Sequence, residues 1–217
     1  GYILPVEEMA GECRRRGIPF IIDAAQSAGA VPIDFEALGA DFIAMPGHKG
    51  LLGPMGTGLL LCGRMPRPLL LGGTGSESEN RAMPDFLPDR GEAGTLNVPG
   101  FAGLEAGIRQ VLEEGADAIG GREAALAAYT ARELGKLGYE VFAGPHQMGT
   151  VSFRGREDCQ TLCDRLDSIA LRAGLHCAPL AHRTAGTLET GTVRISLGHS
   201  TKNHQIAYFL QNARFLR

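Results

Sequence analysis

Lysine is scarce in this 217-residue chain: it occurs only at Lys49, Lys136 and Lys202, and the rest of the 21 basic side chains are arginine. Chemistry that needs an amine nucleophile therefore has three possible addresses. Cysteine is scarce too. The five residues Cys13, Cys62, Cys159, Cys163 and Cys177 are odd in number and scattered, which excludes a paired disulfide framework and points to a reducing compartment. No apolar run approaches the ~20 residues that span a bilayer, and no signal-peptide pattern opens the sequence. The expected location is cytoplasmic, with no membrane partner. Positive charge is not in excess either, at 21 basic against 24 acidic residues, a net charge of −3 and a pI near 6.1. That balance argues against a nucleic-acid footprint. The one basic run, Arg14-Arg15-Arg16, ends a helical stretch, where cations suit the helix dipole.

Glycine is abundant, with 31 residues, about twice the usual ~7% share. The glycines follow no collagen period and form no low-complexity tract, so they indicate a folded protein with many tight turns or close backbone approaches. Apolar spacing predicts a helix over 4–16, a short buried strand over 18–23, a helical turn near 34–38, and strands over 41–45 and 58–62. Such alternation indicates an α/β fold with a mainly parallel sheet and helices on both faces. Periodicity disappears over 63–100, an irregular stretch long enough to be functional. Helices are then expected over 101–114 and 122–136, strands over 139–142 and 150–153, a helix over 157–172, a strand over 192–197 and a helix over 202–215. The second part reads as a small α+β domain, giving two domains, 1–115 and 116–217.

The densest chemical signal is Asp23-Ala-Ala-Gln26 followed, one strand later, by Gly47-His48-Lys49. Both groups lie just past the carboxyl ends of predicted strands, where open α/β sheets bind ligands. A carboxylate can hold a heteroaromatic nitrogen protonated, a lysine can form a Schiff base, and an amide or imidazole can contact phenolate or phosphate oxygens. Taken singly, a strand-end aspartate is a common helix cap and a lone lysine is commonly solvated.

With these residues the sequence resembles the class V aminotransferases of pyridoxal-phosphate fold type I, within the cysteine desulfurase and selenocysteine lyase branch. The resemblance rests on Ile22-Asp-Ala-Ala-Gln-Ser-Ala-Gly29, Ala40-Asp-Phe-Ile-Ala-Met-Pro-Gly-His-Lys-Gly50, Gly72-Gly-Thr-Gly-Ser76, Gly91-Glu-Ala-Gly-Thr-Leu-Asn97, Arg172-Ala-Gly-Leu-His-Cys177 and Val193-Arg194. It implies pyridoxal 5'-phosphate as cofactor. It implies Lys49 as the Schiff-base lysine, Asp23 on the pyridinium nitrogen, Gln26 on the ring oxygen and His48 on the phosphate. Thr74, with Ser76 beside it, would be a phosphate contact that crosses from the second subunit of a homodimer. Arg194, with Arg172 and Asn97, would bind the substrate L-cysteine. Read from the strand pattern alone, Arg194 could equally form a local salt bridge.

Cys177 separates the branches. In the desulfurases it would take sulfur as a persulfide, leaving L-alanine, and would hand the sulfur to an acceptor protein. As a free cysteine it could also be a small core residue. Cys159 and Cys163, four apart on a predicted helix, are assigned to packing. A class V aminotransferase or a selenocysteine lyase on the same scaffold is the alternative activity. The resemblance further implies a glycine-threonine phosphate loop, a ring-stacking aromatic or histidine and an asparagine ahead of Gly1. The 217 residues do not contain them, so the expected chain is the C-terminal portion of a longer enzyme, or a fragment inactive without its N-terminal half.

Overall fold

The computed structural model describes residues 1–216, which form two compact units, one of Pro5–Ala116 and one from Asp117 onward together with Gly1–Leu4. In the first unit, α1 (Val6–Arg16) ends at Gly17, whose φ of 64° lets its N–H reach back to the Arg14 carbonyl at 3.2 Å. The basic run caps more than its own helix. Arg14 Nη2 donates to the Leu38 carbonyl at 2.8 Å, closing the short α2 (Phe35–Leu38), while Arg15 and Arg16 pair with Glu12. Asp34 starts α2 by accepting the Ala37 N–H at 2.9 Å.

Three strands form the sheet of this unit. β1 (Ile21–Asp23) runs parallel to β2 (Phe42–Pro46), and β2 runs antiparallel to β3 (Gly58–Cys62). The expected α/β class holds, but the parallel arrangement does not extend to β3. Residues 47–57 turn the chain back without a crossover helix, so only a reversed strand can follow. Ile43 and Met45 of β2 face a core shared with Ala24, Ala28, Leu51 and Leu104, whereas Ile21, Leu59 and Leu60 stay exposed. The irregular stretch holds a single 3-10 turn, Asp89–Gly91. Arg90 knots it together by donating to the carbonyls of Pro66 and Pro84 at 2.8 and 3.1 Å and pairing with Asp85 at 2.6 Å. α3 (Val98–Glu114) starts three residues before the expected 101, because Asn97 caps it through Oδ1 to the Gly100 N–H at 3.1 Å and Pro99 suits a first turn.

Only Gly115 separates α3 from α4 (Ala116–Lys136), so the expected junction over 115–121 is mostly helix. A Cβ at Gly121 would meet nothing within 4 Å, and the helix runs through the glycines. The second unit carries an antiparallel sheet in the order β4-β5-β7-β6, with β4 at Glu140–Phe142, β5 at Thr150–Arg154, β6 at Arg172–Gly174 and β7 at Thr192–Ser196. The helix expected over 157–172 is only α5 (Cys159–Arg165). Leu166 turns into the core at 3% exposure, and the chain continues to β6 and pairs with β7. α6 (Pro179–Thr184) is likewise additional, and α7 (Asn203–Ala213) closes the described part.

Val151, Phe153, Leu134, Leu162 and Phe209 form the heart of this core, each about 1% exposed or less. Each such burial contributes roughly 1.5–3 kcal/mol. Tyr139 packs edge-on to Phe153 at 5.4 Å and donates its hydroxyl to the Ala213 carbonyl at 2.8 Å, anchoring α7. Cys159 and Cys163 pack in this core as expected, and burial pushes both thiols up. Among the described residues no helix is long and apolar enough to cross a membrane.

Candidate active site

Asp23 closes β1 opposite Ala44 of β2, and Gly47-His48-Lys49 follows β2 directly. Because the two strands are parallel, their carboxyl ends lie at one edge of the sheet. Backbone contact then fixes how the two segments meet. Gly29 has φ +88°, and a Cβ there would sit 2.0 Å from the Gly50 carbonyl oxygen; one on Gly50 would sit 2.2 Å from the Ala28 oxygen. Only two bare glycines allow this approach.

The lysine loop is held on its other sides as well. The Gly47 N–H donates to the Thr57 carbonyl at 2.8 Å, the Gly47 carbonyl accepts the Gly53 N–H at 2.7 Å, and Thr57 Oγ1 donates to the Pro54 carbonyl at 2.7 Å. Underneath, Gly107 of α3 lets the helix approach until a Cβ would be 2.4 Å from the Leu51 oxygen. On this rigid backbone Asp23, Gln26, His48 and Lys49 are all exposed. One oxygen of Asp23 accepts the Ala25 N–H at 2.9 Å. A carboxylate, an amide, an imidazole and an amine, accessible at one sheet edge, fit a phosphorylated pyridine aldehyde. Thr57, buried at 9%, is a supporting residue with no sequence signal beyond the spacing of Gly47, Gly50 and Gly53.

Thr74 lies in a turn closed on itself. Its hydroxyl donates to the Glu77 carbonyl at 3.1 Å, the Gly75 N–H is taken by the Gly73 carbonyl at 2.9 Å, and Gly73 sits so close to Gly94 that a Cβ would be 2.6 Å away. The expected set of free N–H donors is thus partly used within the turn. Ser76 is exposed beside it. Among the described residues no hydrogen bond joins Thr74 to the lysine loop. Asn97 has a structural task as the cap of α3, which leaves its Nδ2 for other contacts.

The second constellation lies on β6, β7 and the loop after β6. Arg172 and Arg194 are directly opposed across the two strands, with Ser152 of β5 on the far side of Arg194. Two like charges in this register repel. Among the described residues no carboxylate pairs with either guanidinium, so the local salt bridge is not formed. Arg194 Nε is buried without a partner, and burial, then the Arg172 charge, lowers the proton affinity of Arg194. This face is short of an anion. Next to it Cys177 is exposed, with Arg172 Nη2 3.9 Å from its Sγ, and is therefore not a core residue.

The loop holding Cys177 is strained. His176 and Cys177 have φ of 51° and 62°, consecutive left-handed residues that cost roughly 1–2 kcal/mol each. His176 Nε2 lies 3.1 Å from the Thr192 carbonyl and 3.2 Å from Thr192 Oγ1. A carbonyl only accepts, so Nε2 carries the hydrogen and Nδ1 is left as a buried acceptor without a partner. Burial, and next the Arg194 charge, push the His176 imidazole down to about 4. Its ring also meets that of His182 at 5.6 Å, and His182 Nδ1 bonds Thr187 Oγ1 at 2.8 Å. His182, Thr187 and Thr192 are buried polar residues that the sequence pattern did not single out.

The family model described as aminotransferase class-V matches residues 1–209. The chain is 34% identical to a protein of Methanothermobacter thermautotrophicus and 36% identical to one of Xylella fastidiosa, both named probable cysteine desulfurase. These alignments cover 95% and 97% of this chain but 55% and 52% of those proteins, so it spans about half their length. The solved apo structure of a cysteine desulfurase from Thermococcus onnurineus NA1 superposes with a TM-score of 0.88 at 33% identity, over 100% of this chain and 56% of that one.

Proposed function

The chain belongs to the aminotransferase class-V family, and on that premise we propose that the whole protein is a pyridoxal-phosphate-dependent cysteine desulfurase. It converts L-cysteine to L-alanine and moves the sulfur to Cys177. The observation that carries this reading is the pair Arg172 and Arg194, unpaired with any described carboxylate, beside an exposed cysteine on a strained loop.

In this reading Asp23 would hold a proton on the pyridine nitrogen, Gln26 would donate to the ring oxygen, and His48 and Thr74 would hold the phosphate, Thr74 from the second subunit of a homodimer. Pyridoxal phosphate, when bound, supplies an electron sink for the charge left on the substrate Cα. Lys49 Nζ would hold the cofactor at rest and would carry the proton between the substrate Cα and the product. Arg194 grips the substrate carboxylate through its guanidinium fork, Arg172 adds positive charge beside Cys177, and Asn97 offers its Nδ2. Cys177 Sγ, as thiolate, bonds to the substrate sulfur. The Cβ–S bond breaks, its electron pair stays with the carbon side, and a proton there completes alanine. The persulfide sulfur leaves to an acceptor protein.

Residues 1–115 act in this reading as the C-terminal part of a cofactor-binding domain, and 116–217 as a small domain, in a cytoplasmic enzyme. The test is the full polypeptide with pyridoxal phosphate and L-cysteine. Alanine should form, and mass spectrometry should find one added sulfur on Cys177. Alanine formation at an undiminished rate in Cys177→Ala, or a pyridoxamine form accumulating in its place, would overturn the reading.

A further inference from the structure

We infer that His176 is a positioning residue whose ring ties the Cys177 loop to β7 through Thr192, and thereby sets where Cys177 Sγ stands relative to Arg194. The kinetic part of this inference rests on the reading of Cys177 as sulfur acceptor; the structural part does not.

Two consecutive left-handed, non-glycine residues do not persist unless their surroundings over-determine them. Around His176 and Cys177 the restraints are few. The loop closes through the Ala178 N–H to the Leu175 carbonyl at 2.8 Å; among the described residues its side-chain contacts with the sheet are a long one from Arg172 Nη2 to Cys177 Sγ at 3.9 Å and the short one of His176 Nε2 on Thr192 at 3.1 and 3.2 Å. Thr192 is a rigid post. It is 2% exposed, sits within β7 and pairs with Gly174 at the start of the loop. Arg194 lies two residues further along the same strand, so it and Thr192 project from the same face. One strand therefore holds both the guanidinium and the tether of the cysteine loop.

The chemistry of the ring fits a tether better than a proton carrier. The hydrogen on Nε2 is committed to a carbonyl, and Nδ1 is buried away from any partner. Burial first, then the Arg194 and Arg172 guanidiniums and the neighbouring His182, oppose a positive charge on the ring. A neutral donor at the Nε2 position is all that the geometry uses, and glutamine can supply one from the same distance along its side chain.

That gives the test. In the full polypeptide, hydrogen exchange of the 172–180 segment and single-turnover alanine formation are compared for wild type, His176→Ala and His176→Gln. In His176→Ala the segment should lose protection, and alanine formation should fall about 100-fold, the penalty for roughly 1 Å of misplacement. The KM for cysteine should stay within about twofold, because Arg194 is untouched. His176→Gln should recover protection and come within about threefold of the wild-type rate. If His176→Ala keeps wild-type protection, the inference falls. If His176→Gln regains protection yet is as slow as His176→Ala, the ring itself does the chemistry and the inference again falls. A wild-type protein that makes no alanine would remove the functional reading, while the exchange data would still decide whether His176 is the tether.

Discussion

The lysine loop and the cysteine loop are built by opposite means. Around Lys49 the geometry is set by missing side chains. Gly29 lies on Gly50, Gly47 on Thr57 and Gly107 on Leu51, at distances that no Cβ could share, while the functional side chains are exposed with few bonds. Around Cys177 the geometry is set by side chains acting on a reluctant backbone. There a histidine holds non-glycine residues at positive φ, and two arginines face each other with no described carboxylate between them. The first loop stores shape and the second stores electrostatic tension. The first should therefore fail through packing and the second through charge or register.

The steepest loss should come from the chemistry itself. Lys49→Ala should lower alanine formation by at least ~1,000-fold, because proton transfer and nucleophilic anchoring disappear together, while thermal unfolding of the protein barely moves. A residual rate within tenfold of wild type would exclude Lys49 from the reaction. Next comes packing: Gly50→Ala should destabilise by about 2–4 kcal/mol, since a 2.2 Å contact with the Ala28 carbonyl forces backbone to shift. Gly72→Ala, strained at φ +101° but facing open space, should cost only about 1 kcal/mol. Equal losses in urea titrations would break the claim that the Gly29–Gly50 contact holds the lysine loop.

The cysteine side should respond in the opposite sense. Arg194→Met should raise stability by about 1 kcal/mol, because it removes a partly buried charge opposed to Arg172, and should raise the KM for cysteine at least tenfold. A destabilised variant would mean that Arg194 is held by something other than repulsion. The pH dependence tests the same side of the molecule. The folded His176 is neutral down to about 4, whereas the unfolded imidazole takes a proton near 6.5. The unfolded state therefore binds more protons between these values, and this contribution to stability is full above 6.5 and lost as the pH falls toward about 4. Urea midpoints measured across that window should fall less steeply in His176→Gln than in wild type.

How much of this was legible depended on how local each feature is. β2 and β3 announce themselves as apolar runs, and Asp23, Gln26, His48 and Lys49 as a spaced motif. The start of α3 was legible in principle, since Asn97 followed by Val98-Pro99 is a capping pattern, but the apolar spacing draws the eye to Phe101. Gly120-Gly121 reads as a break, yet tertiary packing of α4 overrides propensity. β6 was beyond reach: three residues have no period, and Arg172–Gly174 is a strand only because β7 lies alongside. For the same reason the Arg172–Arg194 opposition and the His176–Thr192 tether cannot be read from spacing. They exist only once a register has been chosen.

The strand order β4-β5-β7-β6 also bears on how the protein is made. β7 lies between two strands that both precede it in the chain, so the sheet has a gap until residues 192–196 leave the ribosome. The β4–β5 hairpin can form early, being local in sequence, but β6 then has no neighbour. The nascent chain thus carries an open slot shaped for the strand that bears Arg194. Synthesis that stalls between β6 and β7 should yield the species most prone to bind chaperones or to accept a strand from another chain.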